Sequence, residues 1–225
     1  MRKIVILVLA LCLLLVGCGG SKSETQQNGT ENVADDVVKP AVDGNTINPL
    51  PDSTMDNLAD AILSVSFEKG DVSVDDTGKM QMKVKIYTYD LYDAIDIAQL
   101  KVGDTFAAHA GEIEVAELEK LANGNICVNG GLEKGGFELT PGDGGIFYEI
   151  GFNDAKNWYE VGETTIRVSA DFEGHDNADP AKGEVIIYPG DFLVDDVMDY
   201  NFTPLNTTIR VEAGEVVELN RIYNP

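Results

Sequence analysis

The chain has 225 residues, of which 39 are acidic and 16 are basic, so its formal net charge is −23. This charge excludes nucleic acid as a natural partner, because affinity for nucleic acid comes chiefly from Lys and Arg side chains that neutralise phosphates. It favours basic proteins, cationic peptides and metal ions instead, and it keeps a protein soluble, so we expect a monomer.

The N-terminus carries Arg2 and Lys3, followed by an apolar run of 13 residues from Ile4 to Val16. A helix needs about 20 residues to cross a bilayer, so this run suits the core of an export signal. The run ends in Leu15-Val16-Gly17-Cys18. This motif resembles the lipobox of bacterial lipoproteins. An ordinary secretory peptide with an incidental cysteine is the alternative.

The resemblance implies cleavage between Gly17 and Cys18 and attachment of a diacylglyceryl group to the Cys18 thiol. Residues 1–17 are then a lipoprotein signal peptide, and the mature chain begins at Cys18 with about 14 basic and 39 acidic residues. Two acyl chains anchor a protein stably, whereas one binds only marginally. We expect a protein on the extracytoplasmic face of a bacterial cell membrane.

Residues 18–49 comprise the lipidated cysteine and a segment rich in Gly, Ser, Thr, Gln and Asn. Such a composition cannot bury enough apolar surface to offset the entropy lost on ordering. It predicts a disordered linker with a root-mean-square reach of about 30 Å. The linker would hold the folded body away from the lipid head groups.

Residues 50–225 form the predicted extracytoplasmic domain. Apolar residues alternate with polar ones, as in half-buried strands, at Met80, Met82, Val84 and Ile86, at Ile166 and Val168, and at Ile209 and Val211. Turn signals follow at Thr77-Gly78, Asn123-Gly124, Asn129-Gly130, Val161-Gly162 and Ala213-Gly214. These patterns predict an all-β fold, an antiparallel sandwich or barrel.

One or two short helices accompany these strands. Ser53 or Thr54 is a candidate cap for residues 55–60, and Asp93 for residues 94–100. One domain is the default at this length, with a boundary within 174–180 as the alternative. Residues 105–113 can also be laid over residues 208–216, as two similar hairpins or as a chance likeness.

Catalytic signals are sparse in the body, which has one cysteine, Cys127, and two histidines, His109 and His175. The sequence contains no nucleophile-elbow, phosphate-loop or zinc-ligand spacing. We therefore expect a non-enzymatic protein. A hydrolase is a further alternative, and it would require a histidine or two carboxylates in one cleft.

Aromatic side chains are dense between Phe147 and Tyr159. If Trp158 and Tyr159 are exposed, their flat rings suit a sugar or a peptide, whereas a sheet core is the alternative. Acidic residues gather at Asp171, Glu173, Asp176 and Asp179 in a turn-rich segment. They are candidate Ca²⁺ ligands without EF-hand spacing, and solvated turns are the alternative explanation.

The sequence thus favours a membrane-anchored lipoprotein with a noncatalytic β-rich domain that binds a protein or an envelope component. The alternative is a module that binds a carbohydrate, a peptide or calcium. No cofactor is expected apart from the calcium of that alternative.

Overall fold

The computed structural model describes residues 44–194 and 201–224. The predicted signal peptide, Cys18 and the predicted linker as far as residue 43 lie outside the described residues. Within the described ranges, no helix has the length and apolar character needed to span a membrane.

The described residues form strands joined by turns, so the predicted all-β class is confirmed. The strands are β1 Thr46–Ile47, β2 Ala61–Ser66, β3 Val72–Val74, β4 Met80–Thr88, β5 Leu91–Asp93, β6 Thr105–Ala108, β7 Gly111–Glu114, β8 Leu118–Lys120, β9 Ile126–Val128, β10 Phe137–Gly142, β11 Ile146–Ile150, β12 Tyr159–Asn177, β13 Val185–Ile187, β14 Thr207–Glu212 and β15 Glu215–Ile222. The helical elements are α1 Ala94–Gln99 and 3₁₀ turns at Lys69–Asp71, Leu132–Lys134, Phe152–Asp154 and Pro189–Leu193.

Strands β2, β4, β12, β15 and β14 close into a barrel, with β3 added to β4 and β13 added to β12. The 19-residue strand β12 closes it, because Tyr159 to Arg167 pairs with β4, whereas Arg167, Val168 and residues 173–177 pair with β15 on either side of an irregular stretch. All pairs in the ring are antiparallel except β12 with β15, which is parallel. In chain order the ring runs 1-2-3-5-4, the strand order of OB-fold barrels.

The barrel interior is filled by the apolar residues that the alternation indicated. Met82, Val84 and Ile86 on β4 are each at most 1% exposed, while Lys83 and Lys85 between them face solvent. The other strands contribute residues to the same cluster, among them Leu63, Val65, Ile166, Val168, Ile209, Val211, Val216 and Leu219. The period of two in β4 therefore specifies which face enters the core.

Residues 89–158, between β4 and β12, form an inserted lobe that, together with β1, has its own sheets and core. One sheet has the order β5-β11-β10-β9-β8, and a second has the order β1-β6-β7. Their apolar cluster is separate from that of the barrel, and its members are Ile47, Tyr92, Ile97, Leu100, Phe106, Val115, Ile126, Val128 and Leu139. Because β1 pairs with β6, the folded body begins before residue 49, the expected end of the linker.

The two predicted helices have different outcomes. The Asp93 carboxylate accepts a hydrogen bond from the Ile95 backbone N–H and caps α1, as predicted. Residues 54–60 form turns instead of a helix. Thr54 does not act as a cap there, because its own N–H and hydroxyl donate to the Asp52 carboxylate at 2.9 and 2.6 Å.

The structure also differs from two other expectations, the turn at Val161-Gly162 and the alternative domain boundary within 174–180. Val161-Gly162 is an irregularity within β12 rather than a turn between strands. Strand β12 continues to Asn177, so residues 174–177 belong to the barrel. The turn-rich composition of this region therefore does not mark a domain boundary at those residues.

The two similar sequences both form hairpins, but their turns do not correspond. Ala108 pairs with Gly111, so His109-Ala110 forms the first turn. Glu212 pairs with Glu215, and Ala213-Gly214, with φ of 49° and 77°, forms the second. The sequence alignment sets Gly111 against Gly214, so it is offset by one residue, and the hairpins lie in different sheets.

Ile86→Ala tests the assignment of the barrel core. Ile86 is 0% exposed, and truncation should lower the free energy of unfolding by about 2–5 kcal/mol. The matched control is Ile62→Ala on β2, which is 73% exposed and should lose less than about 1 kcal/mol. Urea unfolding measures both, and equal losses would contradict the assignment.

Candidate functional site

The site lies where the chain passes between the barrel and the inserted lobe. The outgoing segment is Tyr89-Asp90, directly after β4, and the returning segment leads from Lys156 into β12. Thr88 and Tyr159 are partners in the sheet, so the two crossings are neighbours. Polar and aromatic side chains from both lobes meet there.

Asp90 is the acceptor that joins the segments. It is 7% exposed and accepts hydrogen bonds from the His109 backbone N–H at 2.6 Å and from the Tyr159 hydroxyl at 2.8 Å. The His109 ring stacks on the Tyr159 ring with centroids 3.6 Å apart and an interplanar angle of 2°. Burial and the hydrogen bond to Asp90 raise the pKa of Tyr159, so its hydroxyl remains a donor.

Glu149 on β11 is a second carboxylate at this junction, only 6% exposed. Burial, together with the charge of Asp90, raises its pKa to about 7, against the opposing effect of a hydrogen bond from the Asn157 amide. That amide nitrogen lies 2.8 Å from Oε1 of Glu149. Glu149 thus changes charge near neutral pH, unlike an ordinary surface glutamate.

Lys156 places its ammonium group among three aromatic rings, which we call the ammonium cage: Tyr89, Tyr148 and Trp158. Its Nζ lies 4.1, 5.4 and 5.7 Å from the respective ring centroids. It also donates a hydrogen bond of 2.7 Å to the Tyr89 hydroxyl. Among the described residues, no carboxylate lies within ion-pair distance of this lysine.

The predicted ligand-binding pair, Trp158 and Tyr159, lies in this junction, but neither ring is freely exposed. Both are half-buried, Trp158 against Tyr89 at 4.7 Å and Tyr159 against His109. Phe152, which is close in sequence, has a more exposed ring, with 74% of its surface accessible to solvent. It occupies a tight turn closed by a 2.6 Å hydrogen bond from Gly151 N–H to the Ala155 carbonyl.

The four predicted calcium ligands do not converge. Three of them, Asp171, Glu173 and Asp176, lie on β12 instead of in a loop, and Asp171 falls in the irregular stretch of that strand between Val168 and Glu173. Asp176 forms an ion pair with Arg221, Glu173 approaches His175 at 3.5 Å, and Asp179 approaches Lys182 at 3.4 Å. The described residues contain no group of three or more His, Cys, Asp or Glu that could hold a metal ion.

The residues considered for catalysis are also separate. Cys127 is half-buried in β9, and burial, with Glu138 and Glu119 nearby, raises the pKa of its thiol, which opposes nucleophilic reactivity. His109 stacks on the first residue of β12, whereas His175 lies 16 residues further along that strand, beside Glu173 and Glu184.

The outer face of β4 and β12 is the ligand face in many OB-fold barrels. Here its lysines face glutamates of the neighbouring strand, Lys83 with Glu163 at 2.8 Å and Lys85 with Glu160 at 3.1 Å. These pairs neutralise the positive charge that nucleic-acid phosphates need.

No protein-family model matches the chain, and no curated protein or solved structure is significantly similar to it. A strand order shared with OB-fold barrels does not imply their function, which depends on the chemistry of the site.

Sequence reasoning missed Tyr89, Glu149 and Lys156. Aromatic density between residues 147 and 159 is a local signal for the region, and it contains Lys156. Tyr89 comes from a different part of the chain, 67 residues from Lys156. Glu149 occupies an ordinary polar position of a strand, and nothing in its local sequence indicates that it is buried.

Glu149→Gln should change how stability depends on pH. Between about pH 4.5 and about 7, Glu149 keeps its proton in the folded protein but is ionised in the unfolded chain. The free energy of unfolding of the unmodified protein therefore falls as the pH rises through that window. The variant lacks this loss, so its stability relative to the unmodified protein should increase across the window and level off above it.

Urea unfolding of both proteins over a pH series measures that difference. Glu133→Gln, which removes the charge of an exposed glutamate, is the matched control. A flat difference for Glu149→Gln would contradict the raised pKa.

Proposed function

We propose that this protein is a bacterial lipoprotein, anchored through Cys18 on the extracytoplasmic face of the membrane, with a noncatalytic domain that binds a protein or an envelope component. The observation that carries the anchor is the lipobox Leu15-Val16-Gly17-Cys18 directly after an apolar run of 13 residues. That run is too short for a helix that crosses a bilayer, which needs about 20 residues.

The arrangement of the body supports a binding role over a catalytic one. Among the described residues, Cys127, His109 and His175 do not come together with one another. The junction instead offers rings, and aromatic side chains with neighbouring polar groups are enriched at protein interfaces. Phe152 is the residue that we assign to partner contact, since 74% of its surface is exposed.

The negative net charge of the chain favours partners with a basic contact surface. The mature chain is strongly acidic, so a partner that is basic at its contact surface is attracted over distances comparable to the Debye length, about 8 Å at physiological salt. The same field opposes anionic polymers. A basic envelope protein therefore fits the domain better than nucleic acid or an anionic wall polymer.

A carbohydrate-binding module is the second candidate function. Phe152 and the half-buried Trp158 lie within seven positions of each other, and a sugar ring can stack on such side chains. Binding of a soluble oligosaccharide that is lost in Phe152→Ala, with no protein partner recovered, would favour this alternative.

Cys18→Ala should abolish lipid attachment. Cells fed an alkyne fatty acid should label the unmodified protein and the Cys127→Ser control, and they should not label Cys18→Ala. The variant should also persist as the uncleaved precursor, because cleavage follows lipidation in the lipoprotein pathway that the motif implies. Unchanged labelling of Cys18→Ala would refute the anchor.

Phe152→Ala should weaken partner capture by at least about fivefold at sub-saturating partner, the loss expected when a contact worth more than about 1 kcal/mol is truncated. The measurement is mild crosslinking of the full-length lipidated protein in its native envelope. Ile62→Ala removes an equally exposed apolar side chain, 73% exposed, from the barrel and should capture the same partner normally. Equal capture by all three proteins would argue against Phe152 as the contact.

A further inference from the structure

The ammonium cage is formed by three elements that approach from different parts of the chain. Tyr89 follows β4, Tyr148 lies on β11, and Trp158 precedes β12. Tyr89 makes edge contacts with Tyr148 at 5.9 Å and 75° and with Trp158 at 4.7 Å and 79°. These contacts join Tyr89 to both other rings independently of the lysine, and the Lys156 ammonium lies between the three rings.

Lys156 occupies the cage as a ligand would. Its ammonium lies within 6 Å of all three ring centroids, and it approaches Tyr89 from the hydroxyl side of that ring. Its single hydrogen bond within the cage is donated to the Tyr89 hydroxyl. The backbone of Lys156 is fixed by a bridge to Ile150, whereas the four-carbon stem of a lysine is flexible and can withdraw its head group into solvent.

The surroundings favour an organic cation over a metal ion or an anion. The Tyr148 and Trp158 rings and the Tyr89 hydroxyl oxygen present partial negative charge, and no carboxylate of the described chain lies within ion-pair distance to supply the oxygen ligands of a hard metal ion. A quaternary ammonium group gains from several ring faces and forgoes no hydrogen bonds of its own. A primary ammonium must give up water at each N–H that the cage leaves unpaired.

We propose that Tyr89, Tyr148 and Trp158 form a binding site for a quaternary ammonium group, with Lys156 as a displaceable internal occupant. This inference rests on the binding role proposed above and names a ligand class for the junction. Displacement of Lys156 couples the ligand to the segment that returns from the inserted lobe to β12.

The chain offers a direct reporter, because Trp158 is its single tryptophan and lies in the cage wall. Full-length lipidated protein in detergent micelles is titrated with tetramethylammonium chloride while tryptophan fluorescence is recorded. Sodium chloride at equal ionic strength and the uncharged isostere 3,3-dimethylbutan-1-ol are the controls. The expected result is a saturable change with tetramethylammonium and none with either control.

Lys156→Met retains the length of the stem and removes the competing charge. Its half-saturation should fall by about tenfold, because a larger fraction of the protein has an open cage. Lys182→Met, at an exposed lysine far along the sequence from the cage, should bind like the unmodified protein. Tyr89→Ala, which removes the ring closest to the ammonium, should abolish the saturable change.

The absence of a saturable change in both the unmodified protein and Lys156→Met would overturn the proposal. Binding to Lys156→Met alone would also overturn it, because Lys156 would then be a permanent occupant. The proposed lipoprotein function would still stand after either result, provided that the protein is labelled with fatty acid and that Phe152→Ala weakens partner capture as expected. Free choline and phosphatidylcholine vesicles, as further arms, distinguish a soluble cation from a lipid head group.

Discussion

The double pairing of β12 is the constraint on which the rest of the structure depends. Its first half pairs with β4 and its second half with β15, so the five barrel strands have partners on both sides. The same pairing fixes Tyr159, where β12 begins, beside Thr88, where β4 ends. An insertion between these points adds little closure entropy, since the ends of the inserted chain are already adjacent. The barrel can therefore carry residues 89–158 as a separately packed lobe.

Two separate apolar clusters leave the junction between them to polar and aromatic contacts. Asp90 joins a hairpin turn of the inserted lobe to the first residue of β12 through His109 and Tyr159. Glu149 lies close enough to Asp90 that the two charges oppose each other, and burial strengthens that opposition. The connection between lobes is thus specified by directional hydrogen bonds and sensitive to protonation, whereas each lobe is stabilised by its own apolar core.

Features that depend on interactions between residues close in the sequence could be predicted, whereas features that depend on distant residues could not. The alternation in β4 and the capping of α1 by Asp93 depend on neighbours within a few residues, and both were predicted. The helix after Thr54 failed because Asp52 captures the same hydrogen-bonding groups in a turn. Asp171 to Asp179 read as a loop because composition does not reveal that β12 runs through most of it. The cage joins residues 67 positions apart, so only the closed barrel brings Tyr89 to Lys156.

The position of Lys156 contrasts with that of the other lysines at the barrel. Lys83 and Lys85 face glutamates across the sheet, the expected partners in a chain with 39 acidic residues. Lys156 instead lies among rings, in a part of the described structure without a carboxylate in ion-pair range. An exposed ion pair contributes little to stability, typically less than about 1 kcal/mol, and a partly desolvated cation–π contact is of comparable size. Occupancy of the cage by Lys156 is therefore weak enough for an external cation to compete with it, and the acidic surface raises the local concentration of such a cation.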